Sequence, residues 1–300
     1  MKLKKFAAID IGSNAIRILI ANIIQTDHGV VFQKNSFIRS PVRLGEDSFT
    51  LGEISPKSLK RFVKTMKAFK LLMDIHGVSN YKAYATSALR EANNSSHVIN
   101  IVKKKAGIKV EIIDGIKEAE IISNSKISEF INTQKTFLFV DVGGGSTEFT
   151  FISEGIHVAS KSFKIGTVRL TNNLVDDRVW IGIENWIKKN SKKFQKITLM
   201  GSGGNINKLF KLSNIKEGKP LSKIKLSQLF KLLEELNYEE RVLKFDLNPD
   251  RADVIVPAAR IYLKALEWCG GQKIYVPRFG LSDGMIKYMY KNMKNRQYHE

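Results

Sequence analysis

The chain has 300 residues, 43% of them hydrophobic, and its lysines and arginines outnumber its acidic residues by 49 to 29. This length suffices for two domains of ordinary size, and the formal charge of +20 favours polyanionic partners. The only cysteine, Cys269, excludes an intramolecular disulfide and indicates a reducing compartment. Asp10 interrupts the first apolar run too early for a signal peptide, and no apolar segment approaches the ~20 residues of a membrane span. We therefore expect a soluble, cytoplasmic protein.

The first half of the chain is predicted to begin with three successive strands, over residues 6–11, 15–24 and 30–38. Ser55 followed by Pro56 is typical of a helix start, with serine as the cap and proline in the first turn. The remaining predicted elements are a strand at 81–86, a helix ending near Gly107, a strand at 108–113 and a helix from about Ile116.

The second half repeats this order of elements. The predicted strands are 136–142, 147–153, 156–163, 196–200 and 272–276, and the predicted helices are 179–194, 203–213, 226–236, 257–268 and 282–294. Three meandering strands followed by alternating helices and strands, occurring twice, predict a duplicated α/β unit. We expect domains over 1–125 and 126–300 with the catalytic cleft between them, and the last helix, about 283–300, can pack back on the first domain.

Two segments share one layout, in which an apolar strand ends in an aspartate, one apolar residue and a turn of small residues. One segment contains Asp10 and the turn Gly12–Asn14, and the other contains Asp141 and the glycines Gly143–Gly145. Glycine allows main-chain amides to approach a phosphate oxygen without a Cβ in the way. A lone glycine run would favour a plain flexible turn, but this one is flanked by two acids and mirrored near the N-terminus. We therefore predict phosphate binding at both turns.

Carboxylates beside these turns indicate a metal site. Asp141 ends an apolar strand, where an unpaired charge is costly, and Glu148 lies just past the turn on the return strand. Such oxygens, with Asp10 at the equivalent place, suit Mg²⁺ or Mn²⁺ better than Zn²⁺. The alternative is a structural carboxylate that bonds its own turn. The five histidines have no ligand spacing, so a zinc site is not predicted.

Arginines complete the predicted site. Arg17 interrupts an apolar strand and Arg90 follows another strand, and a guanidinium suits phosphate because it donates two parallel hydrogen bonds. The lysine-rich stretches 188–196 and 103–105 either extend a track for a polyanion or are solvated helix faces. Glu118 lies in the first turn of a predicted helix, where an acid usually compensates the helix dipole. Its position alone assigns it no chemistry.

Together these segments resemble the exopolyphosphatase and guanosine pentaphosphate phosphohydrolase family, within the superfamily of actin, sugar kinases and Hsp70. The matching segments run in family order: Ala8–Arg17, Ala85–Ala92, Gly115–Ala119, Val140–Glu148, Ile165–Leu170, Arg251–Pro257 and Val276–Gly284. The resemblance implies two RNase H-like (actin-like ATPase) domains. It also implies a reaction in which water attacks the terminal phosphorus of inorganic polyphosphate or guanosine pentaphosphate and releases orthophosphate.

The resemblance also implies roles for individual residues. Glu118 matches the catalytic acid that orients and deprotonates water, and Asp141 and Glu148 match the metal-binding carboxylates. The matched phosphate-holding residues are Ser13, Asn14, Arg90, Gly143, Gly144, Gly145 and Ser146. Three features depart from the family pattern: Lys117 precedes the catalytic acid where an acidic residue is usual, Gly201–Asn205 replaces a commoner Thr-Ser-Gly-Thr, and Ser282 stands where arginine is frequent. Glu120 is a weaker competitor for the catalytic role.

Two further functions share this fold. One is an acceptor-dependent kinase or ATPase of the same superfamily, and the other is a non-catalytic sensor of polyphosphate or guanosine nucleotides. Retention of Glu118, Asp141 and Glu148 argues against the sensor, which has no need of a water-activating acid. Nucleic-acid binding is not predicted, because no recognition motif accompanies the charge, and a homodimer is expected from the resemblance alone.

Overall fold

The computed structural model describes residues 2–123, 135–277 and 279–297. The chain divides into two compact units, one formed by Met1–Ile127 with Gly280–Glu300 and the other by Ser128–Phe279. The domain boundary predicted at residues 125 and 126 lies outside the described residues.

The first unit is built on a five-stranded sheet with the order β3-β2-β1-β4-β5. Strands β1, β2 and β3 form an antiparallel meander, and β4 and β5 continue the sheet parallel to β1. The strands are β1 Lys2–Ile11, β2 Ile16–Thr26, β3 Gly29–Ser40, β4 Asn80–Ala85 and β5 Glu111–Ile112. The helices are α1 Leu44–Thr50, α2 Pro56–His76, α3 Ser87–Glu91, α4 Ser95–Ala106, α5 Gly115–Ser123 and the last helix of the chain, α13, Leu281–Gln297.

Helix α2 begins and ends as its sequence predicts. The Ser55 hydroxyl accepts a hydrogen bond from the Ser58 amide, Pro56 occupies the first helical position, and Gly77 ends the helix at φ 64°. The apolar residues that recur at helical spacing, including Phe62, are buried against the sheet. This helix therefore covers one face of the first sheet.

The second unit is built on a six-stranded sheet with the order β10-β11-β9-β6-β7-β8. The strands are β6 Thr136–Val142, β7 Thr147–Ser153, β8 Ile156–Phe163, β9 Ile197–Ser202, β10 Leu221–Ser222 and β11 Lys273–Tyr275. The helices are α6 Thr167–Thr171, α7 Asp177–Ser191, α8 Gly204–Leu212, α9 Lys223–Glu235, α10 Tyr238–Phe245, α11 Pro249–Ala252 and α12 Ile255–Trp268. The order β8-β7-β6-β9-β11 repeats β3-β2-β1-β4-β5, with the same strand directions. The predicted duplicated α/β unit is confirmed.

The short elements differ most from the sequence-based expectation. No local pattern predicts α1 and α3, because helices of seven and five residues span too few turns for a hydrophobic period. The strand predicted at 108–113 is reduced to Glu111–Ile112. Among the helices of the described residues, none has both the length and the apolar content needed to cross a lipid bilayer.

Candidate active site

The first unit pairs two of the predicted site residues with each other. Asp10 and Arg17 are direct neighbours across β1 and β2, and Arg17 Nη1 donates to Asp10 Oδ2 at 2.6 Å. Asp10 is buried, so the guanidinium compensates a charge that would otherwise be costly. The charge inside the apolar strand thus has a structural partner, and the metal role of Asp10 and the phosphate role of Arg17 stay predictions.

Ser13 and Asn14 form the turn after β1, here named the serine turn. The buried Ser13 hydroxyl is 2.9 Å from the Ser87 hydroxyl at the start of α3. The Gly45 amide of α1 donates to the Ser13 carbonyl at 2.8 Å, and the Arg43 amide donates to the Asn14 carbonyl at 3.1 Å. A Cβ atom at position 45 would lie 2.6 Å from the Ser13 Cβ. The two short helices that local sequence patterns missed therefore hold this turn in place.

Arg90 is fixed by the chain that leads into α5. Its amide donates to the Thr86 carbonyl, and its Nη1 donates to the Ile113 carbonyl at 2.8 Å. Arg90 as a whole is half-buried. Because the five N–H donors of arginine form a rigid fork, a bond at one nitrogen also orients the others.

Helix α5 distinguishes the two candidate catalytic acids. Glu118 is buried, whereas Glu120 is exposed and pairs with Lys117, with Nζ 2.9 Å from Oε2. Lys117 Nζ also donates to the Tyr288 hydroxyl at 3.0 Å, and these hydrogen bonds raise the pKa of Lys117. The lysine that departs from the family pattern thus binds Glu120 and Tyr288 on α13. Glu118 is the acid held in a low-dielectric setting, which suits a catalytic role better.

In the second unit, β6 and β7 are joined by a loop, Gly143–Ser146, here named the glycine loop. The Gly143 amide donates to the Ser146 carbonyl at 2.9 Å and closes this turn. Asp141 and Glu148 are direct neighbours across the two strands, so their side chains extend from the same face of the sheet. Two carboxylates beside a glycine turn form a hard-oxygen donor set of the kind that Mg²⁺ and Mn²⁺ prefer.

Glu148 is held from behind by the next strand. It is 2% exposed, and the Ser162 hydroxyl of β8 donates to its Oε1 at 2.8 Å. Ser162 is the direct neighbour of Glu148 across β7 and β8. This hydrogen bond orients the carboxylate, as an outer contact orients a metal ligand. Sequence reasoning missed Ser162. It could have been found from the predicted strands 147–153 and 156–163, because pairing these two strands places Ser162 opposite Glu148.

Helix α6 supports the glycine loop. The Val168 amide donates to the Gly144 carbonyl at 2.8 Å, and the Thr167 amide donates to the Gly143 carbonyl at 3.0 Å. A Cβ atom at Gly166 would overlap the main chain of Gly144. The loop can approach α6 this closely only because position 166 has no side chain.

Arg169 is a second residue that sequence reasoning left without a role. It is buried, and its Nε donates to the Gly145 carbonyl at 2.8 Å. A buried arginine is rare and needs a specific partner. Arg169 could have been singled out from the sequence, because it is the one charged residue of the family segment Ile165–Leu170.

The end of β9 comes close to Asp141. Gly203 has φ 103°, and a Cβ atom there would lie 3.1 Å from Asp141 Oδ1. The buried Tyr262 hydroxyl donates to the Ser202 carbonyl. Burial, with a further contribution from the charge of Asp141, raises the pKa of Tyr262 well above its ordinary value, so the phenol keeps its proton. The segment Gly201–Asn205, which departs from the family pattern, therefore has a glycine at position 203, where a Cβ atom would crowd the Asp141 carboxylate.

Comparisons with known proteins find related phosphatases. Exopolyphosphatase 2 of Mycobacterium tuberculosis is 33% identical over 177 residues, which cover 57% of this chain and 55% of that protein. A bifunctional 3-dehydroquinate synthase/phosphatase of Fusobacterium nucleatum is 29% identical over 317 residues, covering 97% of this chain and 47% of that protein. The chain thus spans about half the length of these curated relatives.

Solved structures share the fold over almost the whole chain. The crystal structure of an exopolyphosphatase from Cytophaga hutchinsonii has a TM-score of 0.85 and 25% identity, covering 96% of this chain and 98% of that one. The Aquifex aeolicus member of the Ppx/GppA protein family has a TM-score of 0.75 and 26% identity, covering 97% and 99%. The model of the Ppx/GppA phosphatase family matches residues 23–293. The chain belongs to the Ppx/GppA phosphatase family.

Proposed function

We propose that the protein is an exopolyphosphatase, which releases terminal orthophosphate from inorganic polyphosphate by attack of water on the terminal phosphorus. The observation that carries the proposal is the glycine loop with Asp141 and Glu148 facing each other across its two strands. Family membership and the exopolyphosphatases among the relatives support the same reaction. Phosphoryl transfer depends mainly on positioning and charge neutralisation, which loops, carboxylates and arginines of this kind can supply.

Asp141 and Glu148 would hold a divalent cation, Mg²⁺ or Mn²⁺. The donor set fits, since both groups are carboxylates on one face of the sheet and Ser162 orients Glu148. When bound, the cation would neutralise charge on the phosphoryl oxygens. Asp10 is a weaker ligand in this proposal, because its ion pair with Arg17 must open first.

The phosphate groups of the substrate would be bound by main-chain amides and by cations. In the glycine loop, the Gly143 amide closes the turn, and α6 and Arg169 bond to the carbonyl groups. We therefore assign anion binding to the amides of Gly144 and Gly145 and to Ser146, with Gly143 shaping the loop. The serine turn, with Ser13 and Asn14, has the same role in the first unit. Arg90 and Arg17 would neutralise phosphoryl oxygens, and Arg17 would exchange its partner Asp10 for substrate.

Glu118 would take the proton of the attacking water. Its burial and its match to the catalytic acid of the family support this role, and the pairing of Glu120 with Lys117 argues against the neighbouring acid.

We also propose guanosine pentaphosphate as a second substrate, since it ends in the same phosphoanhydride, and a homodimer as the assembly. Substrate competition and analytical ultracentrifugation test these two points.

Phosphate release from polyphosphate, measured by malachite green with Mg²⁺ or Mn²⁺, tests the proposed reaction. Glu118→Gln should lower kcat by about 10²-fold or more, because the amide cannot accept the proton of water. Glu120→Gln is the matched control and should retain activity within a few fold, since this side chain is exposed and paired with Lys117.

Two results would contradict the proposal. The first is a wild-type protein that releases no phosphate from polyphosphate or guanosine pentaphosphate with either metal. The second is equal activity of Glu118→Gln and Glu120→Gln. ADP formation that depends on a phosphate acceptor would instead favour a kinase.

A further inference from the structure

Helix α2 of the first unit has an unusual line of exposed cations. The positions Lys57, Lys60, Arg61, Lys64 and Lys67, here named the basic stripe, recur at helical spacing on the side opposite the core. The first acidic residue of the helix is Asp74, which pairs with Lys70. The lysines at 60, 64 and 67 form no ion pair with a carboxylate of the described residues. These three lysines therefore present uncompensated positive charge to solvent, whereas Lys57 interacts with the charge of Asp47.

Helix stability does not account for this stripe. Cations are favoured at the C-terminal end of a helix and disfavoured in the first turns, yet the stripe begins at Lys57. The first turn of α2 has no acidic residue of its own, and the Asp47 carboxylate of α1, which lies at this helix start, interacts with Lys57. Lys64 is three or four positions from Lys60, Arg61 and Lys67, so it faces like charges, which destabilise a helix. A feature that opposes the stability of its own helix needs another explanation.

The two lysine-rich stretches noted in the sequence differ in this respect. Lys103, Lys104 and Lys105 occupy the last turn of α4, and Lys188 and Lys189 occupy the last turn of α7. Favourable interaction with the helix dipole explains cations at these places. Lys188 also pairs with Glu184. Neither stretch requires a ligand.

The stripe begins near the serine turn and leads away from it. Helix α1, seven residues and roughly 10 Å long, connects the two: its Gly45 amide bonds to the Ser13 carbonyl, and its Asp47 carboxylate accepts from the Ser55 amide at the start of α2. The far end of α2 lies near the start of β1, away from the serine turn that follows this strand, because the His76 carbonyl accepts from Lys5 Nζ. From Lys57 to Lys67 the stripe extends about 15 Å along the helix axis.

We propose that the basic stripe binds the distal part of a long inorganic polyphosphate chain whose terminal phosphoryl group is held at the serine turn. This inference rests on the proposed function. A line of ammonium groups that starts beside a phosphate-binding turn complements a regular line of phosphoryl charges. It makes the stripe a determinant of chain-length preference, since a short polyphosphate does not reach beyond α1.

The test compares two triple variants that remove the same charge. Lys60→Gln/Lys64→Gln/Lys67→Gln alters the stripe, and Lys189→Gln/Lys192→Gln/Lys193→Gln alters exposed lysines on α7 and the residues after it. KM and kcat are measured for long-chain polyphosphate and for tripolyphosphate over a series of salt concentrations. Tripolyphosphate turnover and the thermal melting temperature report whether the stripe variant is folded.

The stripe variant should raise KM for long-chain polyphosphate about tenfold, and tripolyphosphate kinetics should stay near wild type. By analogy with single-stranded nucleic acid, loss of three contacts should lower the slope of log KM against log salt by about 2. The control variant should change neither quantity by more than about twofold.

Equal long-chain KM values for the two variants would overturn the inference. Binding of a single-stranded oligonucleotide and of anionic vesicles is measured for the same variants. A stripe variant that loses affinity only for one of these ligands, and not for polyphosphate, would also overturn the inference. If the wild-type protein hydrolyses neither polyphosphate, the proposed function fails, and binding of labelled long-chain polyphosphate by the same two variants then decides the inference. Equal binding by both variants would refute it.

Discussion

At the scale of single residues, the candidate site depends on close packing behind the residues that would contact substrate. Gly166 touches the main chain of the glycine loop, Arg169 bonds to its Gly145 carbonyl, and Ser162 orients Glu148. None of these three residues needs to touch a phosphate in order to matter. Each restricts a group that does, and small errors in such positions are costly in phosphoryl transfer.

Gly166→Ala should displace the glycine loop, because a methyl group there overlaps the Gly144 main chain. We expect phosphate release to fall by about 10²-fold, mainly in kcat. Gly182→Ala is the matched control, since its Cβ would meet only Phe163 at 4.0 Å within helix α7. The control should keep its activity and gain up to about 1 kcal/mol of stability. Steady-state kinetics and thermal melting measure both variants, and full activity of Gly166→Ala would contradict the assigned role of the loop.

Ser162→Ala removes the hydrogen bond that orients Glu148. The Mg²⁺ concentration for half-maximal activity should rise about tenfold or more, as when an outer contact of a metal ligand is lost, while kcat at saturating Mg²⁺ changes less. Ser160→Ala is the control, because that hydroxyl bonds to Thr150 instead. Metal titrations of both variants test the prediction, and an equal rise in both would refute a specific effect on Glu148.

At the scale of secondary-structure elements, the last helix of the chain supports the helix that carries Glu118. Helix α13 contacts α5, β1 and β2 within the first unit. Lys117 of α5 binds Tyr288 of α13, and Gly284 of α13 lies against the Ile121 carbonyl of α5. The position of α5 therefore depends on a segment more than 150 residues further along the chain.

Gly284→Ala should force α13 and α5 apart, since a methyl group would overlap the Ile121 carbonyl. We expect a destabilisation of about 1–3 kcal/mol, typical of overpacking, together with lower activity because α5 carries Glu118. Gly280→Ala, four positions earlier, has open space around its Cβ and is the control. Thermal melting and phosphate release measure both effects. Unchanged stability of Gly284→Ala would mean that the two helices do not need this contact.

At the scale of the whole molecule, the charge of +20 sets the conditions under which a polyanion binds. Surface cations far apart are screened by salt, but a line of closely spaced cations on one helix acts together on a bound chain. The five cations of the basic stripe are such a line. Salt should therefore affect long substrates more than short ones.

For the wild-type protein, log KM for long-chain polyphosphate should rise with log salt at a slope of about 3. The slope for tripolyphosphate should be clearly smaller, because fewer cations contact it. The measurement holds free Mg²⁺ constant while potassium chloride is varied. Equal slopes for the two substrates would mean that the excess charge of the molecule plays no part in binding the chain.

The long elements could be predicted because their signals are local. The strands 136–142, 147–153 and 156–163 agree with the structure, since each is an apolar or alternating run bounded by a turn. The start of α2 is encoded by Ser55 and Pro56. Helices α1 and α3, which hold the serine turn, could not be predicted from local patterns, because they depend on contacts with distant residues such as Ser13.

The sequence by itself determined the duplicated α/β unit, the two acid-and-turn segments and the family, because these depend on local periodicity and on the order of short motifs. Only the tertiary structure decided that Arg17 neutralises Asp10, that Lys117 binds Glu120 and Tyr288, and that Arg169 holds the glycine loop. A charged side chain can reach any of several partners of opposite charge. Which one it reaches depends on strand register and on packing between residues far apart in the chain, and no local pattern encodes either.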